Sequence, residues 1–194
     1  MIVIVAVILT WWALGNIENK VKTKMQESLS TVLHTTTQAL HLWVEDNKNK
    51  VNNIATNPNI VELVTRQVQH YNSGNNFQSS VELFKLRRFF EDLQDRAGHL
   101  GFFIIAPDGA NIASMRDSNM AQRNLILAQR PKLFERVFAG ETVLIPPIKS
   151  DVRLQQTEKI DKSEFPPTMF FLAPVTDLNG NVIAALSQRF DPYG

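Results

Sequence analysis

Two arginines and two aspartates stand where predicted β-strands end, and side chains of these types can bind a small ligand. Arg116 and Asp117 follow the second predicted strand, whereas Arg189 and Asp191 close the last one. A guanidinium group binds a carboxylate through paired hydrogen bonds, and an aspartate accepts from an amine or a hydroxyl. Because binding residues concentrate on such loops, we predict a ligand site here, with a solvated surface charge pair as the alternative.

The last two predicted strands supply further candidates. Side chains alternate along a strand, so Arg189 and Asp191 are expected on one side of the sheet and Phe190 on the other. In the fourth predicted strand, Phe170 and Phe171 offer an aromatic wall for a ligand, although core packing is the alternative use of at least one ring.

Patterns typical of catalysis or metal binding are weak in this sequence. The histidines are scattered, and only His34 and His41 share a helix face, two turns apart, too far for one metal ion to bridge easily. The sequence contains no cysteine, no phosphate-binding glycine loop and no nucleophile elbow. We therefore predict no catalytic residue, no bound metal ion and no cofactor.

The composition limits the classes of partner. A chain of 194 residues with 44% hydrophobic residues can bury a core, and it fits one globular domain with additional helix. The net charge is +1 and no block of basic residues occurs, which argues against binding to nucleic acid.

The chain begins with an uncharged apolar run, Met1–Leu14, which contains the adjacent Trp11 and Trp12. Tryptophan is enriched at membrane–water interfaces, but a spanning helix needs about 20 apolar residues, and the basic segment of a signal peptide is missing. We interpret residues 1–15 as a truncated transmembrane or signal segment, with a buried strand or helix of a soluble protein as the alternative.

Residues 16–57 contain no glycine or proline and carry apolar residues at steps of three and four, which predicts one long amphipathic helix. Its narrow apolar stripe suits pairing with a second copy or packing along a domain. Pro58 is predicted to end this helix. Two more helices are predicted after caps at Asn59 and Ser79, each followed three residues on by the glutamate of a capping box.

Two β-hairpins organise the rest of the chain. The first has its turn at Pro107–Gly109 and the second at Asp177–Gly180. A short helix beginning at Pro131 and a strand over Thr142–Ile148 lie between them. These elements predict an α+β fold in which a long N-terminal helix and short helices pack on a small antiparallel sheet.

The order of these elements and their motifs resembles the Cache family of sensor domains. The most specific stretches are Ala113-Ser114-Met115-Arg116-Asp117 and Pro167–Val175, and Phe102–Gly109, Gly140–Val143 and Ile183–Leu186 support them. More narrowly, the chain is similar to the membrane-distal module of double Cache sensor regions in bacterial histidine kinases and nucleotide cyclases.

The resemblance implies a PAS-like sheet of five antiparallel strands flanked by helices, outside the cytoplasmic membrane and often dimeric. It also implies a small-molecule pocket on one face of the sheet, beneath loops that include Arg116 and Asp117, and it adds Ser114 to the candidate site. The signature of the amino-acid-binding subgroup has no match, because the only tyrosines are Tyr71 and Tyr193. An amino-acid ligand is therefore not supported.

We predict a sensor module over residues 58–194, a fragment of a longer receptor whose second module and output domain lie outside this chain. It is expected in the periplasm, as the input domain of a homodimeric signalling protein of the bacterial inner membrane. Ligand binding would shift the helix of residues 16–57. The alternative is a periplasmic interaction or dimerisation module without a small ligand, and a cell-envelope hydrolase ranks last because no nucleophile and base occur together.

Overall fold

The computed structural model describes residues 2–97, 101–150 and 167–190, and side chains are described from residue 20 onward, apart from those of residues 94–97. The chain divides into two compact units, residues 1–45 and residues 46–194. Within the described part of the chain, no helix combines the length and apolar character needed to cross a membrane.

The fold is α+β, with a five-stranded antiparallel sheet and helices on both of its faces. The strands lie in the order β2-β1-β5-β4-β3. The predicted α+β fold with five antiparallel strands is confirmed. The elements are α1 (Ile2–Ala55), α2 (Pro58–Asn72), α3 (Val81–Ala97), β1 (Phe102–Ile105), β2 (Asn111–Ser114), α4 (Leu125–Gln129), α5 (Pro131–Phe138), β3 (Val143–Ile148), β4 (Thr168–Thr176) and β5 (Val182–Phe190). Single 3-10 turns cover Phe77–Ser79 and Asp117–Asn119.

The boundary between α1 and α2 differs from the prediction. Pro58 is the first residue of α2, where its missing N–H leaves no hydrogen bond unmade. The cap is Asn57, whose Oδ1 accepts from the Asn59 backbone N at 3.0 Å, so the prediction of Asn59 as the cap was wrong. Glu62 does not complete a capping box, because its carboxylate pairs with Arg66 at 2.6 Å.

The start of α3 is also shifted by one residue. Ser80 Oγ accepts from the Leu83 backbone N at 3.0 Å, which makes Ser80 the capping residue. Ser79, the predicted cap, belongs instead to the preceding 3-10 turn. The predicted capping-box glutamate, Glu82, lies 3.3 Å from His70 Nε2 and so links α3 to α2.

The two faces of the sheet are covered by different helices. On the first, which we call the α5 face, β-strand residues Phe103, Phe170 and Leu172 pack with Phe134 and Val137 of α5 in one buried cluster. On the second, the α3 face, Phe102 stacks on Phe90 of α3 with ring centroids 4.0 Å apart. Residues paired across neighbouring strands share a face, so the strand register assigns each buried side chain to one of these two layers.

Both edges of the sheet are closed to a further strand. At the β2 edge, the Ile112 carbonyl accepts from Gln67 Nε2 at 2.6 Å, and the Ser114 carbonyl accepts from Arg87 Nε at 2.7 Å. At the β3 edge, Pro146 and Pro147 are exposed within an irregular stretch of pairing and have no N–H to donate. These features prevent edge-to-edge pairing with another chain.

A short helix, α4, packs against the turn of the first hairpin. Asn124 is fully buried, its Oδ1 caps α4 by accepting from the Ile126 backbone N at 2.8 Å, and its Nδ2 donates to Asn111 Oδ1 at 2.7 Å. Gly109 has a φ of +87° and lies against the Leu127 side chain of α4. The sequence did not predict α4, because five residues are too few to show a helical period.

Candidate functional site

Arg189 is a predicted site residue whose charged side chain is buried. It lies in β5, 5% exposed, and faces Phe170 across the β4–β5 pair. Its Nε donates to Thr168 Oγ1 at 2.8 Å and its Nη2 donates to Ser150 Oγ at 2.5 Å. The Arg189 Cζ atom is 5.9 Å from the centroid of the Phe170 ring. A guanidinium is therefore held on the α5 face of the sheet by contacts that include two hydroxyl groups and one aromatic ring.

Ser114 lies on the same face, two strands away. Its partner across the β1–β2 pair is Phe103, and the partner of Phe103 across the β1–β5 pair is Ser187, two residues before Arg189. Strand spacing of about 4.8 Å and a rise of about 3.3 Å per residue place Ser114 and Arg189 roughly 10 Å apart across the sheet and 7 Å along it. Ser114 Oγ is buried and accepts weakly from the Arg116 backbone N at 3.4 Å.

Arg116 leaves the end of β2 with a half-buried side chain. Among the residues that the structure describes, no hydrogen-bond acceptor or carboxylate lies within bonding distance of its guanidinium. A cation beside the candidate site thus has donors available for an anionic ligand. Its hydrogen bonds would be charge-assisted, which makes them stronger than neutral ones.

Asp117, another predicted ligand residue, contacts α3. Its carboxylate is 84% exposed and lies 2.6 Å from Arg87 Nη2 of α3. The same guanidinium holds the Ser114 carbonyl through its Nε, so Arg87 fastens the loop that carries Arg116 to α3. Sequence reasoning missed Arg87, because nothing in the local pattern connects an arginine in a helix with an aspartate thirty residues away.

Phe171 does not join the group around Arg189. It pairs with Gln188 across β4 and β5 and contacts the Phe190 ring at 5.0 Å, which places it on the α3 face. The aromatic residue on the Arg189 face is Phe170. Asp191, the remaining predicted site residue, lies outside the described residues.

The described residues contain no group of histidine, cysteine, aspartate or glutamate side chains that could hold a metal ion. Of the residues that contact Arg189, sequence reasoning missed Thr168 and Ser150. Serine and threonine are common near strand ends and in turns, so the sequence does not mark these two as site residues. Only their contact with a buried guanidinium distinguishes them from other serines and threonines.

A separate open groove of about 850 Å³ lies between α2 and the β4–β5 turn. It is at the far end of β4 from Thr168, and its charged residues are already engaged with one another or with the turn. Glu62 pairs with Arg66 at 2.6 Å, and Asp177 Oδ1 accepts from the backbone N of Asn181 at 2.8 Å. The groove therefore has no arginine without a carboxylate partner, unlike the end of β2, where Arg116 lies.

Comparison with solved structures finds a similar fold in the sensor domain of the Vibrio cholerae histidine kinase DctB, with 15% sequence identity and a TM-score of 0.58. The match covers 88% of this chain and 57% of that one, so the chain spans little more than half the length of its structural neighbour. The Escherichia coli DcuS sensor domain aligns over 74% of this chain and 90% of its own, at 10% identity and a TM-score of 0.48. No protein-family model matches the sequence, and no curated protein matches it.

Proposed function

We propose that this chain is an extracytoplasmic ligand-sensing input domain of a bacterial signal-transduction protein anchored in the inner membrane, such as a histidine kinase. The fold shared with the DctB sensor domain supports this proposal. So does the Cache-like order of motifs in the sequence, in which residues 58–194 form the sensor module, residues 16–57 a signalling helix and residues 1–15 part of a membrane or signal segment. Any catalytic output belongs to a different part of the receptor.

The observation that carries the proposal is the buried guanidinium of Arg189 on the α5 face. Burying a charged side chain is unfavourable unless its donors have partners, and here Thr168 and Ser150 accept from the guanidinium beside the apolar cluster of the α5 face. Arg116, half-buried at the end of β2, adds a second positive charge near that layer. We assign to this site a small carboxylate ligand, bound by Arg116 and Arg189 with Ser114 beside them.

The other sequence-predicted residues take indirect positions in the proposal. Asp117 acts through Arg87, by holding the loop that carries Arg116. Phe171 supports β5 from the opposite face, and Asp191 follows the last described residue of β5. When a ligand draws the Arg116 loop toward the sheet, Arg87 would pass the shift to α3 and from there to α2 and α1.

The test is a thermal-shift panel with the full chain and small carboxylic acids: acetate, glycolate, propionate, lactate, succinate and malate. The uncharged amides of the same acids serve as controls. A ligand that binds only the folded state raises the melting temperature progressively with its concentration. We expect at least one acid to do so while its amide does not. A flat panel, or equal shifts for acids and amides, would reject the carboxylate site.

The second candidate function is a periplasmic dimerisation or interaction module without a small ligand, and the surface of α1 favours it. Between residues 21 and 43, α1 exposes large apolar side chains, including Leu29 at 68%, Val32 at 61% and Leu40 at 60%. At about 100° per residue, all the exposed apolar positions of this segment except Leu42 fall within about a third of the helix circumference. Such a stripe is the surface with which helices pair.

The oligomeric state tests this second function. Sedimentation of the full chain should show a dimer that the double substitution Leu29→Lys and Val32→Lys converts to a monomer. Leu42→Lys is the matched control, because Leu42 is 70% exposed on another side of the helix. A dimer combined with a flat acid panel would favour the interaction module over the sensor.

A further inference from the structure

Met25 presents its thioether to solvent from α1. Its side chain is 61% exposed, more than that of any other methionine whose side chain the structure describes. Met115 and Met169 are half-buried, and Met120 is 4% exposed. Because the sequence contains no cysteine, methionines are the only sulfur-bearing residues of the chain. Among the described residues, Met25 therefore carries the sulfur atom that a reagent in solution reaches most readily.

Met25 also lies within the exposed apolar stripe of α1. Val21 precedes it by four residues and Leu29 follows by four, and their side chains are 51% and 68% exposed. Side chains four residues apart are neighbours on a helix surface, about 40° apart around the axis. Met25 thus belongs to the surface with which two copies of α1 would pair.

The oxidation state of Met25 decides how well it suits such a pairing surface. The thioether is flexible and apolar, so it adapts to an apolar partner. The sulfoxide is polar, and the apolar side chains of Val21 and Leu29 offer no donor to its oxygen. In a symmetric dimer the same unsatisfied oxygen occurs in both copies, so one modification of the chain is unfavourable twice.

We propose that Met25 is a reversible oxidation site that controls the pairing of α1. The reactant is a peroxide, which transfers one oxygen atom to the sulfur lone pair. As the O–O bond breaks, the S–O bond forms, and hydrogen peroxide leaves as water, so the thioether is oxidised and the peroxide is reduced. Methionine sulfoxide reductases reverse the change. This inference rests on the second candidate function, in which two copies pair through α1.

Pairing and oxidation compete for the same side chain. Met25 is exposed in a single copy and would be covered in a pair, so the peroxide reacts with the unpaired form. Oxidation removes that form from the equilibrium and thereby draws the remaining pairs apart. Oxidation of Met25 should therefore slow as the protein concentration rises through the range in which the dimer forms.

The experiment treats the full chain with hydrogen peroxide, follows each methionine by peptide mass spectrometry and measures the oligomeric state by sedimentation. In the folded chain, Met25 should gain an oxygen atom before Met115, Met120 and Met169 do, and in urea all four should react at similar rates. Oxidation should weaken the dimer about tenfold or more, as expected for one unsatisfied polar group in each copy. Methionine sulfoxide reductases should restore it.

Two variants separate Met25 from every other oxidisable residue. Met25→Leu keeps an apolar side chain of similar volume, so it should pair as the wild type does and stay dimeric in peroxide. Met25→Gln places a polar amide at the same position and should weaken the dimer without any peroxide. Both leucine and glutamine are good helix formers, so the helical circular dichroism signal of both variants should match that of the wild type.

The possible outcomes separate this inference from the function on which it rests. A wild-type chain that is monomeric before treatment would reject the pairing of α1, and the control of that pairing with it. A dimer in which Met25 reacts no faster than Met120, or one that persists after Met25 is oxidised, would overturn the inference alone. Dissociation of the Met25→Leu dimer in peroxide would assign the effect to another residue and would also overturn it.

Discussion

Arg87 Nη2 lies 2.6 Å from Asp117 Oδ1, and the same guanidinium donates through Nε to the Ser114 carbonyl at 2.7 Å. One side chain of α3 therefore satisfies the open edge of β2 and also holds the loop that follows it. Because Arg116 begins that loop, its position depends on a residue that contacts no ligand in our proposal. The relationship connects the stability of the sheet edge with the geometry of the candidate site.

Arg87→Met should lower the free energy of unfolding by about 1–3 kcal/mol, because it leaves a partly buried carbonyl without its donor. The Arg87 side chain is only 24% exposed, so solvent does not fully replace that hydrogen bond. Urea unfolding measures the change. Arg66→Met is the control, since Arg66 also contacts a carboxylate at 2.6 Å but is 57% exposed. Arg66→Met should lower the free energy of unfolding by at most about 0.5–1 kcal/mol. Equal losses of stability for the two variants would contradict the role of Arg87.

Gln67→Leu should be more destabilising, by about 2–4 kcal/mol, because one buried and two partly buried polar groups lose their partner together. Gln67 is fully buried, and its Nε2 donates to the Ile112 carbonyl at 2.6 Å and to the Phe77 carbonyl at 2.9 Å. Its Oε1 accepts from Ser80 Oγ at 2.5 Å. Gln69→Leu, on the exposed side of the same helix, should change stability little in the same urea experiment. A mild effect of Gln67→Leu would show that the network is dispensable.

Gly109→Ala should destabilise the first hairpin more than Gly180→Ala destabilises the second. Both glycines have a positive φ, +87° and +84°, which costs a non-glycine residue about 1 kcal/mol or more. A Cβ at Gly109 would also meet the Leu127 side chain, whereas nothing lies within 4 Å of the corresponding position at Gly180. Because Leu127 can move, we expect the difference between the two variants to be about 1 kcal/mol, measured by thermal or urea unfolding. Equal losses of stability for the two variants would mean that the Leu127 side chain of α4 moves aside without a cost in free energy.

Protonation of the Asp177 carboxylate should make the domain less stable in acid. Hydrogen bonds from Asn181 and Asn179, together with its interaction with their side chains, lower the pKa of Asp177 below its ordinary value of 3.8. A lowered folded-state pKa contributes stability above the unfolded-state value, and that stability is lost as the pH falls through the folded-state pKa. Asp177→Asn keeps the Oδ1 acceptor without the charge. Wild type should have the higher urea midpoint near neutral pH, and its advantage should shrink below about pH 4. An advantage that does not change with pH would contradict this cause.

The turns and the order of elements could be predicted because they depend on local chemistry. Pro107–Gly109 and Asp177–Gly180 carry the residues that tight turns require, and Pro131 begins α5 as predicted. The helix caps were displaced because several neighbouring polar residues can serve, and packing selects among them. Asn57 was selected over Asn59, and Ser80 over Ser79.

The candidate site was only partly predictable, because its composition depends on long-range register. Alternation separates Phe170 from Phe171 in any strand, but only the pairing of Phe170 with Arg189 shows which ring lies beside the guanidinium. The contacts of Arg87 with Asp117 and of Arg189 with Ser150 likewise join distant segments. No local pattern in the sequence encodes them.

We propose that Arg116 and Arg189 bind a small carboxylate on the α5 face, and the decisive experiment is calorimetric titration of Arg116→Ala with the acid. The acid that stabilises the wild-type full chain should bind this variant about tenfold more weakly or worse, as expected for a lost charge-assisted hydrogen bond. Arg123→Ala, which removes an exposed arginine of the same loop, should bind it as the wild type does. Equal affinities for the wild type and Arg116→Ala would show that Arg116 does not bind the carboxylate.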